Sequence, residues 1–418
     1  MTYEELPFGG IATFFKAPHL PAPTTAEADV AVIGVPWDQG TTSRSGARMG
    51  PRALREASTM WAYQQDHEAL YDGEAGVELL AGVRWADCGD VAIGAMWSPE
   101  RYHNAVVERL QPIMSAGLFP VTLGGDHSIG YPVLKALVQA RGGRPVHLVQ
   151  FDTHMDYWED EAGQRWTHAS PIIRSHEAGF LAGLTQYGIR SLHTAGDNIE
   201  LARSRGAHIF WCQRAKDMRP ADLVGHLPQG GDVYITFDID VLDPAIAPGT
   251  GTPEPGGFSY YEAKDLLLAV CARCNVVGMD LVEVAPLYDG PAQLTALHGA
   301  RLILDTVGAV FRIASGIPIS RQANFMSSLP VFYQGRMSDG RTDIFHQFDV
   351  NLQQDVKLGG RVGMQVSLNV MNLFDRKGEV DVYRVRTRQN VPVADGTPFT
   401  EADFFKGFDG EGIINMFN

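Results

Sequence analysis

The sequence predicts a three-layer α/β/α fold with a mainly parallel sheet, followed by an antiparallel β tail. Apolar runs of strand length alternate with helix-period patterns through the first 315 residues, which implies strands joined by crossover helices and covered on both faces. Three of those runs end in carboxylates and imidazoles. Beyond residue 315 the helical patterns give way to apolar–polar alternation, the mark of strands with one covered face. Two units are therefore expected, residues 1–315 and a strand-rich extension over 316–418.

Residues 1–28 read as an irregular arm broken by Pro7, Pro18, Pro21 and Pro23. A first strand, Ala28 to Val35, leads through Pro36-Trp37-Asp38-Gln39-Gly40 and a polar loop to Pro51, which suits the first turn of a helix. Next come a helix from Glu100 to Ala116, a strand from Phe119 to Leu123, a helix from Tyr131 to Gln139 and a strand from Val146 to Phe151. Further strands are expected at Gln186 to Arg190, His208 to Cys212, Val233 to Phe237 and Val276 to Val282, and a helix at Tyr260 to Cys274. In the tail, Phe348, Val350 and Leu352 alternate with polar residues, as do Val362, Met364, Val366, Leu368 and Val370. These read as an antiparallel ribbon.

The chemistry gathers at strand ends. The Val146 strand runs into Asp152-Thr153-His154-Met155-Asp156, the Val233 strand into Asp238-Ile239-Asp240, and the Phe119 strand into Gly124-Gly125-Asp126-His127-Ser128. Because side chains alternate along an extended chain, Asp152, His154 and Asp156 are expected to point the same way. The candidate ligands are His127, Asp152, His154, Asp156, Asp238 and Asp240. Clustered buried carboxylates repel one another unless cations or protons neutralise them, and two divalent cations balance four of them. In parallel sheets ligands bind beyond the carboxyl ends of the strands, where all six residues fall.

Composition bounds the rest. A chain of 418 residues with 45% hydrophobic content can bury a large core. The amino terminus lacks a basic stretch followed by an apolar one, and no run is expected to approach the roughly 20 apolar residues of a membrane helix. A cytoplasmic location without membrane association is expected. Cys88, Cys212, Cys271 and Cys274 are too scattered for a disulfide framework, and Cys271-Ala272-Arg273-Cys274 lacks a second pair at zinc spacing. Of the net charge of −15, all but one unit resides in the first 316 residues. That argues against nucleic acid and anionic membranes and permits a cationic substrate.

The three ligand segments, with Ala247-Pro248-Gly249-Thr250-Gly251-Thr252-Pro253 and Asp280-Leu281-Val282-Glu283-Val284, resemble the motifs of the ureohydrolases, the family of arginase, agmatinase and guanidino-acid hydrolases. The resemblance covers residues 1–315 and implies an arginase-like fold with two Mn²⁺ ions per subunit. One ion would be held by His127, Asp152, Asp156 and Asp238, the other by His154, Asp152, Asp238 and Asp240. The donor set suits hard ions and disfavours copper(I). The implied reaction is attack of a metal-activated water on a guanidinium carbon, releasing urea and an amine. His168 resembles the family's proton-shuttling loop histidine and Glu283 the carboxylate that clamps the guanidinium. His168-Ala169 departs from the family's usual His-Gly. The catalytic group is thus His168, Glu283 and Asp156. The resemblance also implies a homo-oligomer, a trimer or hexamer.

Arginases place an Asn where this chain has Trp158, which disfavours arginine. Trp158, with Tyr157 and Trp166, offers an aromatic wall for an amine or alkyl chain. The segments Gly34 to Gly40 and Gly46 to Arg52 resemble the agmatinase-like branch. Agmatine, cleaved to putrescine and urea, is the expected substrate. Guanidinobutyrate or guanidinopropionate is the alternative, with Arg48 or Arg165 receiving the carboxylate. A non-catalytic scaffold of the same fold is the alternative of another class. In the tail, Asp339-Gly340-Arg341-Thr342-Asp343, the Phe348 strand and Val366 to Asp375 resemble the last strands of TonB-dependent outer-membrane receptors. So few strands cannot close a barrel, so the tail is read as an appendage, from a fusion or a gene boundary, without a transport role.

Overall fold

The computed structural model describes residues 8–62, 70–74, 76–94 and 96–312, together with the backbone of 313–314, 331–335, 346–357 and 363–370. Contacts divide the chain into two units, Met1–Arg321 and Gln322–Asn418. In chain order the first unit holds β1 (Val30–Gly34), α1 (Gly50–Ser58), β2 (Leu70–Asp72), β3 (Val77–Leu79), β4 (Trp85–Asp90), α2 (Pro99–Ser115), β5 (Phe119–Leu123), α3 (Gly130–Ala140) and β6 (Val146–Phe151). It continues with α4 (Pro171–Glu177), β7 (Leu181–Ile189), α5 (Gly196–Ser204), β8 (Ala207–Trp211), α6 (Cys212–Lys216), α7 (Pro220–Leu223), β9 (Asp232–Asp238), α8 (Tyr260–Arg273), β10 (Asn275–Val282) and α9 (Leu294–Ala314).

Eight strands form one sheet in the order β4-β1-β5-β10-β9-β6-β7-β8, and every pair in it is parallel. The alternation of side chains divides the core between its two faces. Val30 and Val32 of β1 join a cluster with α1, α8 and α9, whereas Ala31 and Ile33 join one with α2, α3 and α4. That is the expected three-layer α/β/α arrangement.

Local chemistry sets the helix boundaries. Ser259 and Glu262 close a reciprocal capping box at the start of α8, satisfying two donors that a helix start leaves without partners. Ser98 accepts from the Arg101 N–H at the start of α2, with Pro99 in its first turn. Pro51 lies in the first turn of α1, as its position in the sequence predicts.

Several elements depart from expectation: β2, β3 and the short helices α4 to α7 are not anticipated, and β7, β4 and α9 differ for identifiable reasons. β7 begins at Leu181 rather than Gln186, because Gly183 carries no apolar signal; it makes room for the His147 ring, whose Nδ1 would lie 2.4 Å from an added Cβ. β4 escapes a pattern search because its Asp87 is buried in an ion pair with Arg55 at 2.8 Å. Contrary to the expectation that no run approaches a membrane helix, Leu294–Arg312 of α9 is long and apolar enough to cross a membrane by length and composition. It is a core helix packed on α1 and α8, and its Asp305 pairs with Arg301 at 3.1 Å and Lys264 at 3.8 Å.

In the second unit, β11 (Val331–Gly335), β12 (His346–Lys357) and β13 (Gly363–Val370) form a three-stranded antiparallel sheet, with Val350 opposite Val331 and Val370. Val362, Asp339 to Asp343 and Met371 to Asp375 lie outside the described residues.

Candidate metal centre

The four neighbouring strands β5, β10, β9 and β6 occupy the middle of the sheet, and each delivers site residues just past its carboxyl end. His127 sits on a 3₁₀ turn that follows β5, with Asp126 as its N-cap. Glu283 follows β10. Asp238 ends β9, and Asp240 lies on the 3₁₀ turn Ile239–Val241. Asp152, His154 and Asp156 follow β6.

The expected strand alternation does not produce the group after β6. β6 stops at Phe151, and Asp152 to Asp156 form an irregular turn in which Asp156 adopts a left-handed conformation, φ 51°. The turn still gathers the residues, but by reversing the backbone. Glu283 is also left-handed, φ 64°. Such conformations cost about 1–3 kcal/mol each at a residue with a Cβ and persist where the surroundings impose them.

His127 Nδ1 lies 3.0 Å from Asp152 Oδ2, 2.8 Å from Asp156 Oδ2 and 3.3 Å from Asp238 Oδ2, yet it meets none of them in hydrogen-bonding geometry. His154 Nδ1 lies 3.5 Å from Asp152 Oδ1 and 3.2 Å from Asp240 Oδ2. Two donor groups result, His127-Asp152-Asp156 and Asp152-His154-Asp240, which share Asp152. A buried imidazole nitrogen ringed by carboxylate oxygens without hydrogen bonds is the arrangement that cations between them would satisfy. Electrostatics agree. Burial, followed by the neighbouring Asp152 carboxylate, pushes Asp156 up to about 6, and burial with Asp240 and Asp152 holds Asp238 well above the carboxylate range. The cluster draws positive charge, and its oxygen-rich set with two imidazoles fits Mn²⁺ chemistry.

Glu283 stands at the edge of this cluster. Its Oε1 accepts from the His127 backbone N–H at 3.0 Å and from His168 Nδ1 at 2.8 Å, whereas its buried Oε2 has no hydrogen-bond partner among the described residues. His168 Nε2 receives the Thr42 N–H at 3.2 Å and lies 2.8 Å from the Thr42 hydroxyl. Burial disfavours the charged ring, but the carboxylates of Glu283, Asp126 and Asp156 outweigh it and raise His168 to about 9. The Thr42 N–H directed at Nε2 suits the neutral ring, and cations at the carboxylates would favour that form too.

A cleft of about 520 Å³ opens onto these groups. Trp158 lines it, together with Asp160, Glu161 and His193 near the mouth. The expected aromatic wall is reduced to Trp158. Tyr157 is buried in the core against His176 and Arg205, and Trp166 packs on His103 and Tyr131. Arg48 and Arg165 do not reach the cleft either: Arg48 is bound to Asp38, and the exposed Arg165 pairs with Glu177 at 3.4 Å. Among the described residues that line the cleft there is no lysine or arginine.

A sequence profile of the arginase family matches residues 28–308. The chain belongs to the arginase family. It is similar to a mitochondrial agmatinase of Gallus gallus, 38% identical over 68% of this chain and 82% of the relative. It is also similar to a guanidinobutyrase of Pseudomonas aeruginosa, 35% identical over 72% of this chain and 93% of the relative. Among solved structures, the proclavaminate amidino hydrolase from Streptomyces clavuligerus superposes with a TM-score of 0.66 at 31% identity, over 73% of this chain and 99% of that one.

Within this arginase-family framework several supporting residues escaped the sequence reading. Asp126 accepts from the Gly40 N–H at 2.7 Å and the Ser128 N–H at 3.0 Å, tying the loop that carries Thr42 to the centre. Gln150 donates to Asp152 Oδ2 at 2.7 Å and is itself held by Gln186 at 2.7 Å. Polar residues inside otherwise apolar strands were the available signal. Gly125 is required by close approach, since an added Cβ would lie 1.7 Å from the Trp37 carbonyl oxygen. The CxxC cysteines are free and buried. Burial raises Cys271 to about 12 and Cys274 to about 11, which leaves them inert as thiols.

Proposed function

We propose that the protein hydrolyses the guanidino group of a small molecule to urea and an amine, with agmatine as substrate. The observation that carries this reading is Glu283: one oxygen fixed by His127 and His168, the other buried and without a partner among the described residues. A guanidinium supplies N–H donors that such an oxygen lacks.

In this reading His127, Asp152, Asp156 and Asp238 hold one Mn²⁺ and His154, Asp152, Asp238 and Asp240 the second. When bound, such ions would neutralise the carboxylates and polarise a water as nucleophile. Glu283 Oε2 orients the guanidinium. His168, its Nδ1 against Glu283, presents at Nε2 near Thr42 a lone pair that takes a proton from the attacking water and returns it to the departing amine. Trp158 covers the alkyl chain, and Asp160 and Glu161 favour a distal ammonium. A substrate ending in a carboxylate would meet acidic groups at that mouth, yet the similarity to a guanidinobutyrase keeps guanidinobutyrate as the second reading.

For the remaining features we propose a cytoplasmic trimer or hexamer, with a catalytic unit ending near residue 315 and a tail akin to the last strands of a TonB-dependent receptor. The first two rest on the family resemblance and the cysteine content, the last on sequence motifs alone. Urea release by manganese-loaded protein, with agmatine, guanidinobutyrate, guanidinopropionate and arginine side by side, tests the function. Turnover of agmatine is expected; turnover of guanidinobutyrate alone would replace the substrate, and no urea from any of the four would favour the scaffold reading.

A further inference from the structure

Behind His127, on the side away from the carboxylates, the four-strand centre buries a second polar chain. Thr236 of β9 and Asp280 of β10 are register partners, so their side chains stand side by side on one face of the sheet. Thr122 of β5 pairs with Asp280 on its other side. His127 leaves the turn after β5 and lays its ring against this row. His127 Nε2 lies 2.8 Å from Thr236 Oγ1, and the Thr236 hydroxyl donates to Asp280 Oδ1 at 2.6 Å. All three residues are buried, Asp280 completely, so bulk water cannot substitute for any member.

The proton count is determined by hydrogen-bond chemistry. A hydroxyl has one proton. If Thr236 gives it to the Asp280 carboxylate, its oxygen can only accept from His127, so Nε2 must carry the ring proton. A neutral imidazole with its proton on Nε2 presents a lone pair at Nδ1. That is the atom facing Asp152, Asp156 and Asp238.

We infer that Asp280 is a positioning residue for the metal centre: acting through the Thr236 hydroxyl, it fixes the His127 tautomer and ring orientation so that Nδ1 is available as a ligand. This inference rests on the proposed metal-centre reading. Asp280 does not line the cleft; it reaches the His127 ring through the Thr236 hydroxyl. Partners of this kind hold the ligand's orientation, and their loss weakens metal binding about 10–100-fold.

The test is Mn²⁺ binding to the full chain by equilibrium dialysis, with stoichiometry and affinity read separately, alongside the melting temperature of the metal-free protein. Wild type is expected to bind two ions. Asp280→Asn and Thr236→Val should each weaken one of the two by about 10–100-fold, while Thr236→Ser, which keeps the hydroxyl, should bind like wild type. Metal-free Asp280→Asn should melt close to wild type, separating loss of a ligand from loss of the fold. Should Thr236→Val fail to fold, Asp280→Asn against Thr236→Ser decides the matter. Two ions bound by Asp280→Asn with wild-type affinity would overturn the role of Asp280. Fewer than two ions bound by wild type would instead overturn the metal-centre reading beneath it.

Discussion

Glu283 and His168 are joined at 2.8 Å through Oε1 and Nδ1, and the buried Glu283 Oε2 has no hydrogen-bond partner among the described residues. One carboxylate thereby serves two tasks, holding an imidazole and offering an acceptor. Glu283→Gln replaces that acceptor pair with a neutral amide. A charge-assisted hydrogen bond contributes about 1.5–3 kcal/mol, so kcat/KM should fall about 10–100-fold while the bound metal count stays at two. Unchanged kcat/KM would remove Glu283 from substrate contact.

His168→Asn should lower kcat by about 10²–10⁴-fold, the usual range for a positioned proton donor. Metal content should hold, because His168 is not among the proposed ligands. A loss confined to KM would mean that His168 binds substrate rather than moves a proton.

Asp160 and Glu161 at the mouth set the charge preference. The double change Asp160→Asn with Glu161→Gln should raise KM for agmatine several-fold at low salt and less at high salt, since exposed charges are screened over about 10 Å at 0.1 M. KM for guanidinobutyrate should stay level or fall. Equal effects on both substrates would exclude a charge mechanism.

His103 links stability to pH. Burial between Tyr102, Tyr131 and Trp166 lowers it to about 4, so the unfolded chain binds a proton that the folded one refuses between its ordinary pKa of about 6.5 and 4. Its contribution is therefore complete above pH 6.5 and is lost as pH falls toward 4. Urea denaturation at pH 7 and pH 5 should show a smaller pH-induced loss in His103→Phe than in wild type; equal losses would contradict a buried neutral ring.

Removal of residues 317–418 should leave urea release and the melting transition of the first unit intact, as expected of an appendage. Loss of either would give the tail a structural or functional part.

Much of the fold and the centre was legible in the sequence. The strands at 119–123 and 146–151 fall as expected, because short apolar runs ending in Gly or Asp leave little choice of register or length. The six candidate ligands stood out because imidazoles and carboxylates directly after apolar strands are costly unless neutralised. β4 and α9 were not legible. Buried Asp87 and Asp305 blurred their patterns, and Arg55 with the Phe14 N–H at Asp87, and Lys264, Arg301 and the Tyr260 hydroxyl at Asp305, distant in sequence or a turn away, make that burial tolerable. The aromatic wall failed for a related reason. Neighbours in sequence, Tyr157 and Trp158 face the core and the cleft respectively, and residue type alone does not say which.

By itself the sequence determined the composition of each strand end, and with it the donor set, the acidic balance and the alternation that makes a parallel sheet with two covered faces. Local physics suffices there: periodicity, turn chemistry and the cost of clustered charge act within a few residues. Tertiary structure alone decided the order β5-β10-β9-β6, which sets strands from opposite parts of the chain side by side. From that order follow the Glu283–His168 contact across 115 residues, the Asp280–Thr236–His127 chain and the unpartnered oxygen of Glu283. Such contacts depend on which strand lies next to which, and the hydrophobic pattern of a central strand is the same wherever in the sheet it lies.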